Sequence, residues 1–295
     1  MEHTRLLQLD FWMPRGRLRT PRRKVSSPIP RLAFAASVML TAAVFLVALV
    51  GVGSALSLSP RDSMKVYTQC NERGKVALTF DDGPYQYMPD ICKILEDNNI
   101  TGTFFVNSNN WDCIYNEPQP TNLKAAYAAG HQIGLHTWSH PDLTTLTQSP
   151  DDMDFQFQAN IASVQRIIGV YPAFMRPPYG NYNDDVLAYF AKYSLNPVTW
   201  NFDSEDSTDN ATAEKCERNY DTIQSTTPGS AIALNHETFE PTAHEVLPYA
   251  IQQLRAKGYT FCTVAECVGL PPYNDALAVA PDPAPTFEWT CDQSS

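Results

Sequence analysis

Two adjacent carboxylates, Asp81 and Asp82, follow the apolar run Val76-Ala77-Leu78 and are cut off at once by Gly83-Pro84. Carboxylates this close do not both stay ionised without a cation or strong hydrogen-bond donors beside them. Later parts of the chain offer both. His136 and His140 stand four residues apart, a spacing that puts two imidazoles on one face of a helical turn, where they can share a metal ion. With Asp82 they make two nitrogens and one oxygen. Three protein ligands with positions left open are the make-up of a catalytic metal site. His131, just upstream, reads as structural. In Arg176-Pro177-Pro178-Tyr179-Gly180 two prolines fix the backbone, so that the Arg176 side chain and the Tyr179 amide point in set directions. A rigid N–H near a metal is what an oxyanion hole requires. His236, in Leu234-Asn235-His236, is the residue type whose pKa suits general-acid work near neutrality. An Asp from Asp203-Ser204-Glu205-Asp206 can raise that pKa and fix the tautomer. Alone, each stretch has a plainer reading: a turn, a chance histidine pair, a proline bend, a solvated acidic loop.

What unites them is where they fall. Strands are expected at Val76–Thr79, Gly102–Val106, Gln132–Leu135, Ala173–Met175, Val198–Asn201, Ala231–Leu234 and Thr260–Val264, from apolar and β-branched runs bounded by turn residues. Helices are expected between them at Pro89–Asn98, Asn122–Ala129, Asp151–Ile168, Asp184–Tyr193, Ala213–Ser225 and Ala243–Ala256. Strand–helix alternation implies a parallel sheet with right-handed crossovers. The simplest α/β architecture for it is a distorted, incomplete (β/α) barrel of about seven parallel strands. Every candidate group sits at or just past the carboxyl end of an expected strand, where such barrels place their chemistry.

Composition divides the chain. Residues 1–59 hold eight of the 21 Lys/Arg and two of the 32 Asp/Glu; residues 60–295 therefore carry a formal net charge of −17, against −11 for the whole chain. So acidic a domain is a poor partner for nucleic acid, which wants basic patches. Residues 1–31 are basic, Pro-rich and expected to be disordered. Residues 32–58 are nearly all apolar, longer than the roughly 20 needed to span a bilayer. With positive charge on their N-terminal side they read as a signal anchor with a cytoplasmic N-terminus, or as a cleaved signal sequence, and export the C-terminal remainder of the chain. A connector (59–74), a catalytic domain (75–270) and a Pro-rich tail (271–295) complete the organisation. Seven cysteines, all after the apolar segment, read as disulfides with one left over. Asn99-Ile100-Thr101 and Asn210-Ala211-Thr212 are glycosylation sequons. The domain is expected to be extracellular or in the cell wall and to act as a monomer.

Taken together and in order, Thr79-Phe80-Asp81-Asp82-Gly83-Pro84, the pair His136/His140, Arg176-Pro177-Pro178-Tyr179-Gly180 and Leu234-Asn235-His236 resemble the motifs of the polysaccharide deacetylases of carbohydrate esterase family 4. The wording between them (Thr103-Phe104-Phe105-Val106-Asn107, Ser139-His140-Pro141-Asp142-Leu143, Val264-Ala265-Glu266-Cys267) looks most like fungal chitin deacetylases. The resemblance implies metal-dependent removal of N-acetyl groups from chitin or chitin oligomers, giving chitosan and acetate. It makes Asp81 the general base and Arg176 its orienting partner. Asp82, His136 and His140 would hold zinc, with cobalt or another divalent ion as the alternative. The Tyr179 N–H would stabilise the oxyanion, His236 would protonate the leaving amine, and Leu234 would line the acetyl pocket. Trp138 and Trp111 are candidates for stacking on sugar rings. One departure stands out: the family usually has an aromatic after the Asp of its fourth motif, and here Asp206 precedes Ser207, with Asp206 favoured over Asp203 as the partner of His236. The resemblance also pairs Cys70 with Cys267. Peptidoglycan or acetylxylan as substrate, and a non-catalytic chitin-binding surface protein, are the alternatives.

Overall fold

The computed structural model describes residues 64–226, 229–286 and 289–292. The expected membrane segment and basic N-terminus lie outside them. Among the described residues no helix is long and apolar enough to cross a membrane.

The longest strands are β1 (Lys75–Asp81) and, late in the chain, Ser230–His236. Between them run α1 (Met88–Asp97), β2 (Thr103–Val106), α2 (Gln119–Ala128), β3 (Gln132–Leu135), α3 (Pro150–Ile168), β4 (Phe174–Met175), α4 (Asp184–Lys192), β5 (Asn196–Pro197), β6 (Phe202–Asp203) and α5 (Ala213–Thr226). The strand Ser230–His236 is β7; α6 (Leu247–Ala256), β8 (Thr260–Phe261) and α7 (Val264–Val268) follow. Among the described residues all pairings between these strands are parallel, in the order β5-β4-β3-β2-β1-β7-β6, with β8 against the start of β1. The expected incomplete (β/α) barrel is what the chain forms.

Period two sorts the side chains. Ala77, Phe105, Phe174 and Ile232 turn inward, with Val198, Cys70, Cys262 and Val264. Val76, Leu78, Phe80, Phe104, Ile133, Leu135, Ala231 and Ala233 turn outward, onto Met88, Ile91, Leu123, Phe157, Val164, Phe190, Tyr220 and Leu254 of the surrounding helices. Gly134 is needed on the inner face of β3, because a Cβ there would lie 2.6 Å from the Phe105 ring. The same alternation aims Thr79, Asp81, His136, Leu234 and His236 inward at the top of the barrel.

Two expected strands are corrected. Val198–Asn201 is not a strand. Its flanks are: β5 pairs with β4, and β6 pairs with β7, at opposite edges of the sheet. The four residues between reach at most about 18 Å, so the edges must curl toward each other although they share no ladder. Tyr67 brackets this link, donating its N–H to Pro197 O (2.9 Å) and accepting that of Thr199 (2.9 Å). The last strand is also shorter than expected, because Thr263 and Glu266 form a capping box that starts α7. Ahead of α6, the turn Thr242–Val246 is a π-helix, in a stretch where Pro248 offers no N–H.

Disulfides Cys70–Cys267 and Cys113–Cys291 tie the ends of the domain down. The first links the approach to β1 to α7; the second pins the C-terminal tail beside the loop after β2. Cys92, Cys216 and Cys262 are buried free thiols, so three cysteines stand apart rather than the one expected. Asn99 and Asn210, the sequon asparagines, are exposed.

Candidate active site

Asp81 ends β1 with its side chain buried. Its Oδ1 accepts from Arg176 Nη1 at 2.6 Å. Arg176 follows β4 and is itself completely buried. The same Nη1 reaches Thr79 Oγ1 (2.8 Å), and Nη2 donates to Thr199 O (3.2 Å). The guanidinium stacks on Phe105 and Trp200, 4.3 and 5.5 Å from their ring centres. A bidentate-capable, weakly hydrated cation suits that dry position better than lysine would. Burial pushes the Asp81 carboxyl upward and Arg176 pulls it back, with the balance upward. That is the direction that makes a carboxylate a better proton acceptor.

Asp82, one residue on, turns away from the strand at φ 75°. Its Oδ1 lies 3.4 Å from His140 Nε2 and 3.7 Å from His136 Nε2. Two ligands of a tetrahedral ion at ordinary bond lengths stand about 3.3 Å apart, so both contacts to Asp82 are close to the spacing one ion would set, and the three ligand atoms all lie within 4.8 Å of one another. The proton inventory agrees. His136 Nδ1 sits 2.7 Å from Arg176 O; a carbonyl only accepts, so Nδ1 carries the hydrogen and Nε2 presents its lone pair to the site. Burial, reinforced by His140, pulls the His136 imidazole down to about 3, keeping it neutral as a ligand must be. Asp82, His136 and His140 converge as a possible metal site.

These positions cost backbone strain. Asp82, Thr137, His140 and Tyr179 all have positive φ, a conformation that non-glycine residues hold only when their surroundings impose it. The imposing contacts are polar residues that the sequence reading passed over. Asn107 Nδ2 donates to the carbonyls of His136 and Thr137. Asn160 of α3 accepts the His136 N–H (3.1 Å) and donates to Val106 O (3.1 Å). Thr137 Oγ1 accepts the His140 N–H, and Asn110 Nδ2 donates to Asp82 Oδ1. A signal existed for two of them. Asn107 stands at a strand end, and Asn160 is a polar residue between Phe157, Ile161 and Val164 on the core face of a helix.

Across the mouth, His236 ends β7 directly opposite Asp81 in the ladder. Its Nδ1 bonds Asp206 Oδ1 (2.7 Å), its main-chain N–H bonds Asp206 Oδ2 (2.7 Å), and Thr242 Oγ1 donates to the same oxygen (2.8 Å). Asp203 instead accepts from Glu205 N. Burial alone would lower the His236 pKa, but Asp206, with Asp81 and Asp82 behind it, overrides burial and raises it to about 9. Ser207, where the resemblance leaves an aromatic missing, borders a cavity of about 250 Å³ with Cys216, Phe239 and Val246.

Tyr179 is 62% exposed and packs its ring on His140 at 4.7 Å. Among the described residues no acceptor takes its N–H. Leu234 is buried on the inner face below His236. Trp138 corrects the sequence reading: at 3% exposed, it packs against Phe155 in the core and offers no face to a sugar. Its carbonyl instead accepts the N–H groups of Ser108 and Asn109. Trp111 is 46% exposed and continues through Phe239 toward His236.

Residues 68–198 match the family model described as polysaccharide deacetylase. A chitin deacetylase of Colletotrichum lindemuthianum is 34% identical over 212 residues, 70% of this chain and 84% of that protein. A peptidoglycan-N-acetylglucosamine deacetylase of Bacillus cereus is 33% identical over 198 residues, 65% of this chain and 67% of that protein. The solved structure of the Colletotrichum chitin deacetylase superposes with a TM-score of 0.67 at 32% identity, covering 71% of this chain and 95% of the other.

Proposed function

The chain belongs to the polysaccharide deacetylase family, and from that premise we propose that it hydrolyses the N-acetyl groups of N-acetylglucosamine residues in chitin, releasing acetate. The observation that carries this reading is the meeting of the buried Asp81 carboxylate, the Asp82, His136 and His140 cluster and the Asp206-bonded His236 at one barrel mouth. Asp82, His136 and His140 would hold zinc. When bound there, the ion lowers the pKa of a water and polarises a carbonyl oxygen.

The chain's own residues divide the remaining work. Asp81 takes the proton of the attacking water, with Arg176 fixing the free lone pairs toward the cleft. The Tyr179 N–H faces the oxygen on which charge develops, a preorganised donor of the kind that lowers acyl-transfer barriers. His236, held charged by Asp206, gives its Nε2 proton to the departing amine. Without that proton the amine is the poorer leaving group and the addition reverses. Leu234 lines the floor where the acetyl methyl would rest. The fungal relative favours chitin over peptidoglycan. Residues 32–58 are proposed as the membrane anchor that holds the domain outside the cell, where its two disulfides persist, as a monomer.

The test is acetate release from a chitin hexamer by the purified protein: as prepared, after chelation, after zinc is restored, and with Asp81→Asn. Activity lost on chelation, restored by zinc and absent in the variant is the expected result. Release from peptidoglycan or acetylxylan but not chitin would reassign the substrate. Saturable chitin binding with no release from any of the three polymers would make this a binding protein.

A further inference from the structure

Glu237, next to the acid His236, is completely buried, and the mechanism above does not use it. Its side chain turns back beneath the Asp81-Asp82-Gly83-Pro84 turn. Oε1 accepts the Tyr85 N–H at 2.9 Å, and the Glu237 main-chain N–H bonds Asp81 O at 3.2 Å. One residue therefore grips both ends of the five-residue segment that contains Asp82. The grip is close. A Cβ built on Gly83 would lie 1.6 Å from Glu237 Oε1 and 2.0 Å from its Cδ. Gly83 is not at positive φ, so backbone conformation does not demand glycine there; the carboxyl beneath it does. From above, Asn107 N–H bonds Gly83 O (2.8 Å) and Asn110 bonds Asp82. Oε2 of Glu237 has no partner among the described residues.

We propose that Glu237 is a positioning residue for the metal site: its carboxyl fills the space that Gly83 leaves open and clamps the turn, so that Asp82 keeps the left-handed conformation that aims its oxygen at His136 and His140. This rests on reading those three residues as a metal site. Burial pushes the Glu237 carboxyl well up; the Tyr85 N–H opposes this, and the charges of Asp82 and Asp81 reinforce it. Glutamine keeps the length and shape of the side chain and an oxygen that can accept the Tyr85 N–H, which makes it the close replacement.

A double-mutant cycle tests the clamp, reading zinc affinity by chelator competition and the Tm of the metal-free protein in parallel. Outer residues that orient metal ligands are worth about 10–100-fold in affinity. Gly83→Ala alone forces a methyl into the carboxyl and should weaken zinc binding by about 100-fold. Glu237→Ala alone should weaken it by about tenfold. The double variant, with room for the new methyl, should bind no worse than Glu237→Ala, a non-additive result expected only of groups in contact. Glu237→Gln should stay within about threefold of the unmutated protein, while Glu237→Asp, too short to reach Tyr85, should not. At saturating zinc, the Glu237→Ala loss should fall on kcat and leave KM for the hexamer unchanged. If Gly83→Ala does not fold and the double variant does, the same coupling is read in folding. The proposal is overturned if the two losses multiply, or if Glu237→Ala and Glu237→Asp lower Tm without changing zinc affinity. An unmutated protein that binds no zinc would sink the metal reading and this one together; normal zinc binding with additive losses would sink this one alone.

Discussion

Replacing Asp206 by Asn removes the charge that sets the protonation of His236 while keeping the size of the side chain. The imidazole stands at about 9, against an ordinary 6.5, although burial by itself would lower it. Without the Asp206 charge, burial is opposed only by Asp81 and Asp82, and the imidazole should fall toward 6.5, a shift of about 2.5 units, or roughly 3.4 kcal/mol of coupling, if it falls all the way. At pH 7.5 the charged fraction would drop from about 97% to about 9%, and at pH 6 only from nearly all to about three quarters. Those fractions are for the metal-free imidazole; in activity the expected signature is a deficit in kcat/KM that is large on the alkaline side and shrinks as pH falls, on top of any uniform loss from disturbed orientation. A bound dication lowers both pKa values, so the comparison is between variants under the same loading. The assay is a pH–rate profile from pH 5.5 to 9.5 on chitin hexamer, with an NMR titration of the imidazole in the metal-free protein beside it. The linkage has a definite sign. Because the folded pKa is raised, the stability this pair contributes is complete below pH 6.5 and is lost as pH rises through about 9, so the Tm of the metal-free protein should fall across that window and the Asp206→Asn variant should not share the fall. A deficit of equal size at every pH, with an unmoved imidazole titration, would refute the role given to Asp206.

Arg176→Met should strand a buried Asp81 carboxylate and cost about 3–5 kcal/mol, read as a Tm drop of about 10 °C for a domain of this size; adding Asp81→Asn should recover most of the stability and none of the activity. The two tryptophans should separate cleanly. Trp138→Ala should destabilise by about 3–5 kcal/mol without changing KM, whereas Trp111→Ala should leave Tm in place and raise KM for the hexamer roughly fivefold, the worth of one aromatic contact. Opening the 197-residue separation spanned by Cys70–Cys267 with paired serines should cost on the order of 5 kcal/mol at most by loop entropy, measured by denaturant unfolding; an unchanged midpoint would show that the bond does not constrain the unfolded chain.

The chemistry of this protein was legible in the chain because a parallel α/β fold makes it so. When every strand runs the same way, residues just past strand ends gather at one mouth however far apart they lie in sequence, so Asp81, His136, Arg176 and His236 could be grouped from motif and strand end alone. Alternation then told which strand residues turn inward. Tertiary structure alone decided the rest. Whether Val198–Asn201 pairs as a strand depends on what lies beside it, and these residues bridge two sheet edges instead. Trp138 and Trp111 are the same residue type, and only the packing of α3 against the loop after β3 makes one core and leaves the other exposed. The link between Cys113 and Cys291 depends on where a long tail returns, which no local pattern encodes. Asp206, which the sequence already favoured over Asp203, holds His236 through both carboxylate oxygens, and Glu237 folds back beneath Gly83, because of turn geometry at strand ends, where several residues hold left-handed conformations that their own side chains do not prefer. Sequence patterns report the preferences of a residue and its near neighbours. Those conformations are imposed by contacts such as Asn107, Asn160 and Glu237, made across the barrel mouth by residues distant in the chain.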